Sequence, residues 1–228
     1  MIHGEILAQS KAASTAVKRL LSSSPDKGTP MKTVALVALA LFSSAAVFAQ
    51  PAATTRLRGS IEKVDATSIV VKERSGETMT LALPDNLAVN EVVPLDPAAI
   101  QSGKFVGTAA MPGSDGTLAA LEVLVFPEAA RGSNEGHSPW DLQPGSTMTN
   151  ATVTAVTPGA KGRSMTLRYK DGEKTIFVPD GVPVVTLQPG DRSLLVPGAR
   201  VLVTAQNRDG KPTALRITAG RNGFAPPM

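Results

Sequence analysis

Two stretches of the chain carry the same pattern of apolar and polar positions. In the first, the run Ile69-Val70-Val71-Lys72-Glu73-Arg74 meets Ser75-Gly76, resumes as Glu77-Thr78-Met79-Thr80-Leu81 and ends at Pro84-Asp85. In the second, Met165-Thr166-Leu167-Arg168-Tyr169-Lys170 meets Asp171-Gly172, resumes as Glu173-Lys174-Thr175-Ile176-Phe177 and ends at Pro179-Asp180. A β-rich run, a two-residue turn closing on Gly and a second β-rich run predict a hairpin in each.

The surrounding pattern extends both copies. Residues 59–64 alternate loosely and predict a strand ahead of the first hairpin. Residues 95–103 predict a short helix, with Asp96 as N-cap, Pro97 at the first helical position and Gly103 at the end. Residues 104–110 and 119–126 predict two more strands, joined by a turn at Asp115-Gly116. The same order returns at an offset of 92 to 96 residues. Residues 151–156 match the first strand, 191–195 allow at most one helical turn, 201–205 match the fourth strand, and Asp209-Gly210 repeats the turn. Thr213-Ala214-Leu215-Arg216-Ile217 repeats Ala119-Ala120-Leu121-Glu122-Val123. So many landmarks in one order point to a duplication.

The expected fold class is all-β. Its form would be two tandem five-stranded Greek-key barrels of the OB type, each with a short helix between its third and fourth strands. The domains expected are barrels over 56–128 and 148–222, an ordered linker over 129–147 and a tail over 223–228. Scarce aromatics (4 %) with 20 Gly and 18 Pro suit many short strands and turns.

The pattern ahead of the first repeat has another meaning. Met31-Lys32 is followed by an apolar run from Val34 to Phe48, broken only by Ser43 and Ser44, that ends Val47-Phe48-Ala49-Gln50. A basic start, an apolar middle and small residues at the exit predict a signal peptide over 31–49, cut after Ala49. The run is shorter than the roughly 20 residues that span a bilayer, so no stable membrane insertion is expected after cleavage. Residues 1–30 are polar and patternless, and are read as an upstream extension ahead of the true start at Met31. The expected location is the periplasm.

Charge changes little. The chain has a formal charge of +4, but beyond residue 49 there are 18 basic and 17 acidic residues, so attraction to nucleic acid is not expected. The repeats differ more. Residues 56–128 hold six basic and ten acidic side chains, and residues 148–222 hold 11 and five. Opposite faces that pack together would explain this, as would a small anionic partner for the second barrel. No cysteine is present, which removes disulfides, thiolate metal sites and Cys nucleophiles.

Candidate chemistry gathers in the linker, which contains the only Trp and, apart from His3, the only His. Glu135, His137, Trp140 and Asp141 are the candidate ligand or partner residues, with Trp140 as an amphipathic anchor. Glu135, His137 and Asp141 are also of types that bind Zn²⁺ or Cu²⁺, although one imidazole with two carboxylates is a weak set. A Ser-His-Asp arrangement could use only His137, with Asp141 nearby and Ser138 or a distant Ser. It is present only as an order of residues, so no enzyme activity and no cofactor are expected.

The Gly59-x-Ile61-x-x-Val64 start, the hairpin, Gly103-x-Phe105-Val106 and Asp115-Gly116-Thr117-Leu118-Ala119 together resemble a bacterial exported family of unknown function with small β-barrel domains. The tandem form, with its Gly136-His137-x-Pro139-Trp140-Asp141 linker, is similar to uncharacterised periplasmic proteins of proteobacteria. Some of these carry a metal-transporter permease label, which a chain without multiple apolar spans does not fit. The expected function is a non-catalytic binding or interaction module in the periplasm. A metal-binding protein using His137 and a structural or envelope-stress accessory protein are the alternatives.

Overall fold

The computed structural model describes residues 53–113 and 117–227. The expected leader, the extension before it and the Asp115-Gly116 turn lie outside the described residues. Among the described residues the protein is all-β, with fourteen strands in one hydrogen-bonded sheet. They are β1 (Thr54–Val64), β2 (Ser68–Glu73), β3 (Thr78–Ala82), β4 (Ala88–Pro94), β5 (Phe105–Pro112), β6 (Leu118–Ala120), β7 (Val123–Val125), β8 (Gly136–Pro139), β9 (Thr147–Gly159), β10 (Gly162–Tyr169), β11 (Gly172–Pro179), β12 (Val184–Pro189), β13 (Arg200–Arg208) and β14 (Lys211–Ala219). No helix among them is long and apolar enough to cross a membrane.

Both hairpins form, with Val70 opposite Thr80 and Met165 opposite Ile176, but neither turns on the predicted residue pair. Glu73 pairs with Glu77 around a three-residue loop, Arg74-Ser75-Gly76. Tyr169 pairs with Gly172 around Lys170-Asp171, which leaves Gly172 on β11. The expected helix over 95–103 is shorter than predicted: a single 3-10 turn at Pro97–Ala99. Asp96 does cap it, its carboxylate accepting from the Ala98 N–H at 2.7 Å. The turn stops because Ile100 adopts an extended conformation and buries its side chain in the core. Its counterpart at Arg192–Leu194 is capped in the same way by Asp191.

The pairings close into two rings. One runs β1, β2, β3, β14, β13 and back to β1, with β3 and β14 parallel. The other runs β9, β10, β11, β6, β5 and back to β9, with β11 and β6 parallel. These rings are not tandem. Each takes three strands from one repeat and its last two positions from the other, and both lie in one compact unit, Pro51–Met228.

The cause is the segment after each hairpin. Instead of turning back, it continues as β4 or β12, about 20 Å of extended chain, which carries the following strand across to the other ring. β4 and β12 pair antiparallel about Val92 and Leu187, positions 95 apart in the sequence and thus equivalent in the repeats. A pseudo-two-fold relation centred on this pair exchanges the rings.

Each ring has its own core. Leu57, Ile69 and Leu81 from the first repeat meet Val203, Ala214 and Ile217 from the second. Val106 and Val123 meet Met165, Leu167 and Ile176 in the other ring. A smaller cluster, Val92, Leu124 and Val185, lies on the bridging strands and on β7 beside them, with Phe126, Leu187 and the tail's Phe224 packed on it. The charge contrast between the repeats does not carry over to the rings, because each ring mixes strands of both.

One glycine permits the closest strand approach. A Cβ at Gly59 would lie 2.1 Å from the Lys72 carbonyl oxygen across the β1–β2 ladder. Gly59→Ala must therefore push β1 and β2 apart, and is expected to cost about 2–3 kcal/mol, read as a lower denaturation midpoint. A neutral Gly59→Ala would show that β1 and β2 do not pair in this register.

Candidate functional site

The stretch between the repeats is built into the sheet. β8 pairs with β9, placing Gly136 opposite Asn150, His137 opposite Thr149 and Ser138 opposite Met148. Side chains alternate along a strand, so Ser138 and His137 fall on opposite faces. The chain then closes a loop, the Trp140 N–H donating to the Ser146 carbonyl at 2.8 Å. The Ser146 hydroxyl lies 2.7 Å from the Gln143 carbonyl and 3.0 Å from that of Trp140. Trp140 is thereby held at a fixed position beside β1.

There it meets two arginines. The Arg56 guanidinium carbon sits 4.1 Å from the Trp140 ring centroid and that of Arg58 6.0 Å from it, within range of a cation–π attraction. Asp141 accepts from Arg58 Nη2 at 2.8 Å and from Arg56 Nη1 at 3.3 Å. Partial burial pushes the Asp141 carboxyl up, but its bond to Arg58 and the charges of Arg58 and Arg56 outweigh that and hold it below the usual carboxylate value.

His137 is turned elsewhere. Its Nδ1 is 2.8 Å from the Thr149 hydroxyl, and its ring stacks at 6.5 Å on Tyr169. Burial, and then the charge of Lys174, lower its pKa. Glu135 is exposed on the turn before β8. The three residues read from the sequence as metal ligands are thus not assembled, since Asp141 is committed to the arginines and His137 to Thr149. Among the described residues no group of three His, Asp or Glu side chains is placed to hold a metal ion. The same placement leaves Ser138 on the opposite face of β8 from His137, so the order Ser-His-Asp is not a nucleophile with its base.

What the fold does assemble is a crevice of about 370 Å³ between the outer faces of the two rings. Arg56 on β1 and Arg216 on β14 come from one ring. Met148 and Asn150 on β9 come from the other, joined by Phe126 after β7 and Trp140 after β8, strands that pair with its β5 and β9. Gly107 on β5 makes room behind it, since a Cβ there would lie 2.4 Å from Asn150 Oδ1 and 3.0 Å from the Phe126 ring. Of the four residues singled out from the sequence, Trp140 lines the crevice and Asp141 holds the arginines beside it. Glu135 and His137 do neither.

A larger hollow of about 500 Å³ lies against residues 193–199 and 220–223. Its one charged wall residue, Arg221, is bound to Glu91 at 2.7 Å. The crevice offers the richer set of free polar groups.

One residue with unusual chemistry escaped the sequence reading. Glu122, between β6 and β7, is 0 % exposed, and neither carboxyl oxygen has a hydrogen-bond partner. Only its backbone carbonyl is engaged, accepting from the Thr108 hydroxyl at 2.6 Å. Burial pushes its pKa up to about 8, against the opposing pull of Arg58. The signal was a lone carboxylate inside the apolar run 118–126, at the position where the other repeat has Arg216.

No family model matches the chain, and neither does any curated protein or solved structure.

Proposed function

We propose that the protein is an exported, non-catalytic binding module, and that its ligand enters the crevice between the rings. On this reading each ring is a small Greek-key barrel of the OB type, a scaffold that binds ligands on its strands and loops. The ring order and the capped turn between the third and fourth strands support that assignment. The leader pattern over 31–49 supports export to the periplasm. The resemblance to exported β-barrel proteins agrees with both.

The observation that carries the proposal is the crevice itself. It is concave, of ligand size, and mixes an aromatic anchor with convergent polar groups, as small-molecule sites do. Trp140 has been fixed at its edge by a closed loop and an arginine stack.

Thermal unfolding against a panel of divalent metals, organic anions and anionic glycans tests this. A ligand at 100 times its Kd stabilises by about 2.7 kcal/mol, a shift of a few degrees. The shift is expected to disappear in Trp140→Ala and to survive in His137→Ala. A zinc or copper shift that vanishes in His137→Ala would instead establish the metal reading and overturn this one.

A further inference from the structure

The pseudo-two-fold relation between the rings shows how the crevice became one-sided. Arg56 sits opposite Thr204 in the β1–β13 ladder, and Met148 sits opposite Ala109 in the equivalent β9–β5 ladder. Arg58 corresponds in the same way to Asn150. Arg216 corresponds to Glu122, by the shared Ala-Leu-Arg-Ile and Ala-Leu-Glu-Val frames. Two related surfaces therefore face one cavity with different chemistry.

One ring contributes guanidinium groups. The other contributes a thioether and an amide, and the segments after β7 and β8 beside it contribute aromatic rings. The carboxylate that would have matched Arg216 is absent from the crevice wall, since Glu122 lies wholly buried. No other carboxylate lines the crevice. Asp141 engages Arg56 and Arg58. Arg216 is exposed, and its side chain has neither a hydrogen bond nor an ion pair among the described residues.

A guanidinium with no partner, in the lining of a cavity that Trp140, Phe126, Leu124 and Met148 also line, makes a receptor of two unlike chemistries. Guanidinium recognises carboxylate, sulfonate and phosphate oxygens through paired N–H groups. The apolar wall accepts a hydrophobic or aromatic body. We infer that the crevice takes a small organic anion, its acidic group on Arg216 and its apolar body against the wall that holds Trp140. This inference rests on the binding-module reading and narrows it to a ligand class.

Two dyes separate the parts of the claim. Anilinonaphthalene sulfonate carries an acidic group on an aromatic body, and N-phenylnaphthylamine has the same kind of body without the charge. Binding of each to the intact protein is followed by dye emission and by the fluorescence of Trp140, the only Trp in the chain. The sulfonate is expected to bind with a Kd about tenfold weaker in Arg216→Ala, with most of the affinity kept in Arg216→Lys. The neutral amine is expected to bind wild type and Arg216→Ala alike. Arg216 is exposed and unpaired, so an unchanged melting midpoint will show that the variant is folded. Equal sulfonate affinity in wild type and Arg216→Ala overturns the anion assignment while leaving the crevice as a site. If neither dye changes Trp140 emission, the crevice reading fails and this inference fails with it.

Discussion

Replacing Glu122 with Gln is expected to stabilise the protein above neutral pH and to remove most of the pH dependence of its stability between about pH 4.5 and 8. The cause is a carboxyl with no exposure and no hydrogen-bond partner on either oxygen. Folding raises its pKa from 4.5 to about 8. A raised carboxyl pKa means that the folded state holds its proton more tightly than the unfolded state does. Below pH 4.5 both states are protonated and the group costs nothing by this route. As pH climbs, the unfolded chain releases the proton first, and the native state loses stability steadily until pH 8 is passed. The full difference is on the order of a few kcal/mol. Glutamine keeps the shape and cannot ionise, so its stability curve should lie near wild type at pH 5 and well above it at pH 9. Urea midpoints at a series of pH values measure this directly. Parallel curves for the two proteins would mean that Glu122 is solvated or paired in solution.

The hairpins and the capping aspartates were legible because their signals are local. Ser75-Gly76 and Asp171-Gly172 between alternating runs need nothing distant to explain them, and Asp96-Pro97 announces its own turn. The duplication was legible for the same reason, as a recurring order of short motifs. The exchange of strands between the repeats was not, because no local pattern says with which copy a strand will pair. Its sign in the sequence was residues 88–94, where Val89, Val92 and Val93 are broken by Asn90 and Glu91. Those polar interruptions hid β4, although Glu91 is buried beside Gln188 and Arg221.

The site divides along the same line. Trp140 stood out because it is rare, and rarity turned out to coincide with the crevice. His137 stood out for the same reason and faces the other side, since a single residue's place on β8 depends on the β9 register. Arg56 and Arg216 are ordinary arginines in sequence. Only the closure of β1, β13 and β14 into one ring gives them a shared cavity wall.

Strand exchange between the repeats has a large consequence for the separated halves. A chain cut between Arg131 and Gly132 leaves β1 to β3 without β13 and β14, and β9 to β11 without β5 and β6. Leu57, Ile69, Val71 and Leu81 would lose their cover from Val201, Val203 and Ile217, and Met165, Leu167 and Ile176 theirs from Val106, Ala110 and Val123. Each large apolar side chain so exposed forfeits about 1.5–3 kcal/mol, and a few of them exceed the 5–15 kcal/mol that holds an ordinary domain together. Neither half is expected to fold as a monomer, whereas mixing the two should restore the β-sheet circular dichroism and a cooperative melt. The restored transition should depend on concentration, because association then replaces the covalent link. Two halves that each melt cooperatively as monomers would mean that each repeat closes its own barrel, and would overturn the exchange of strands between them.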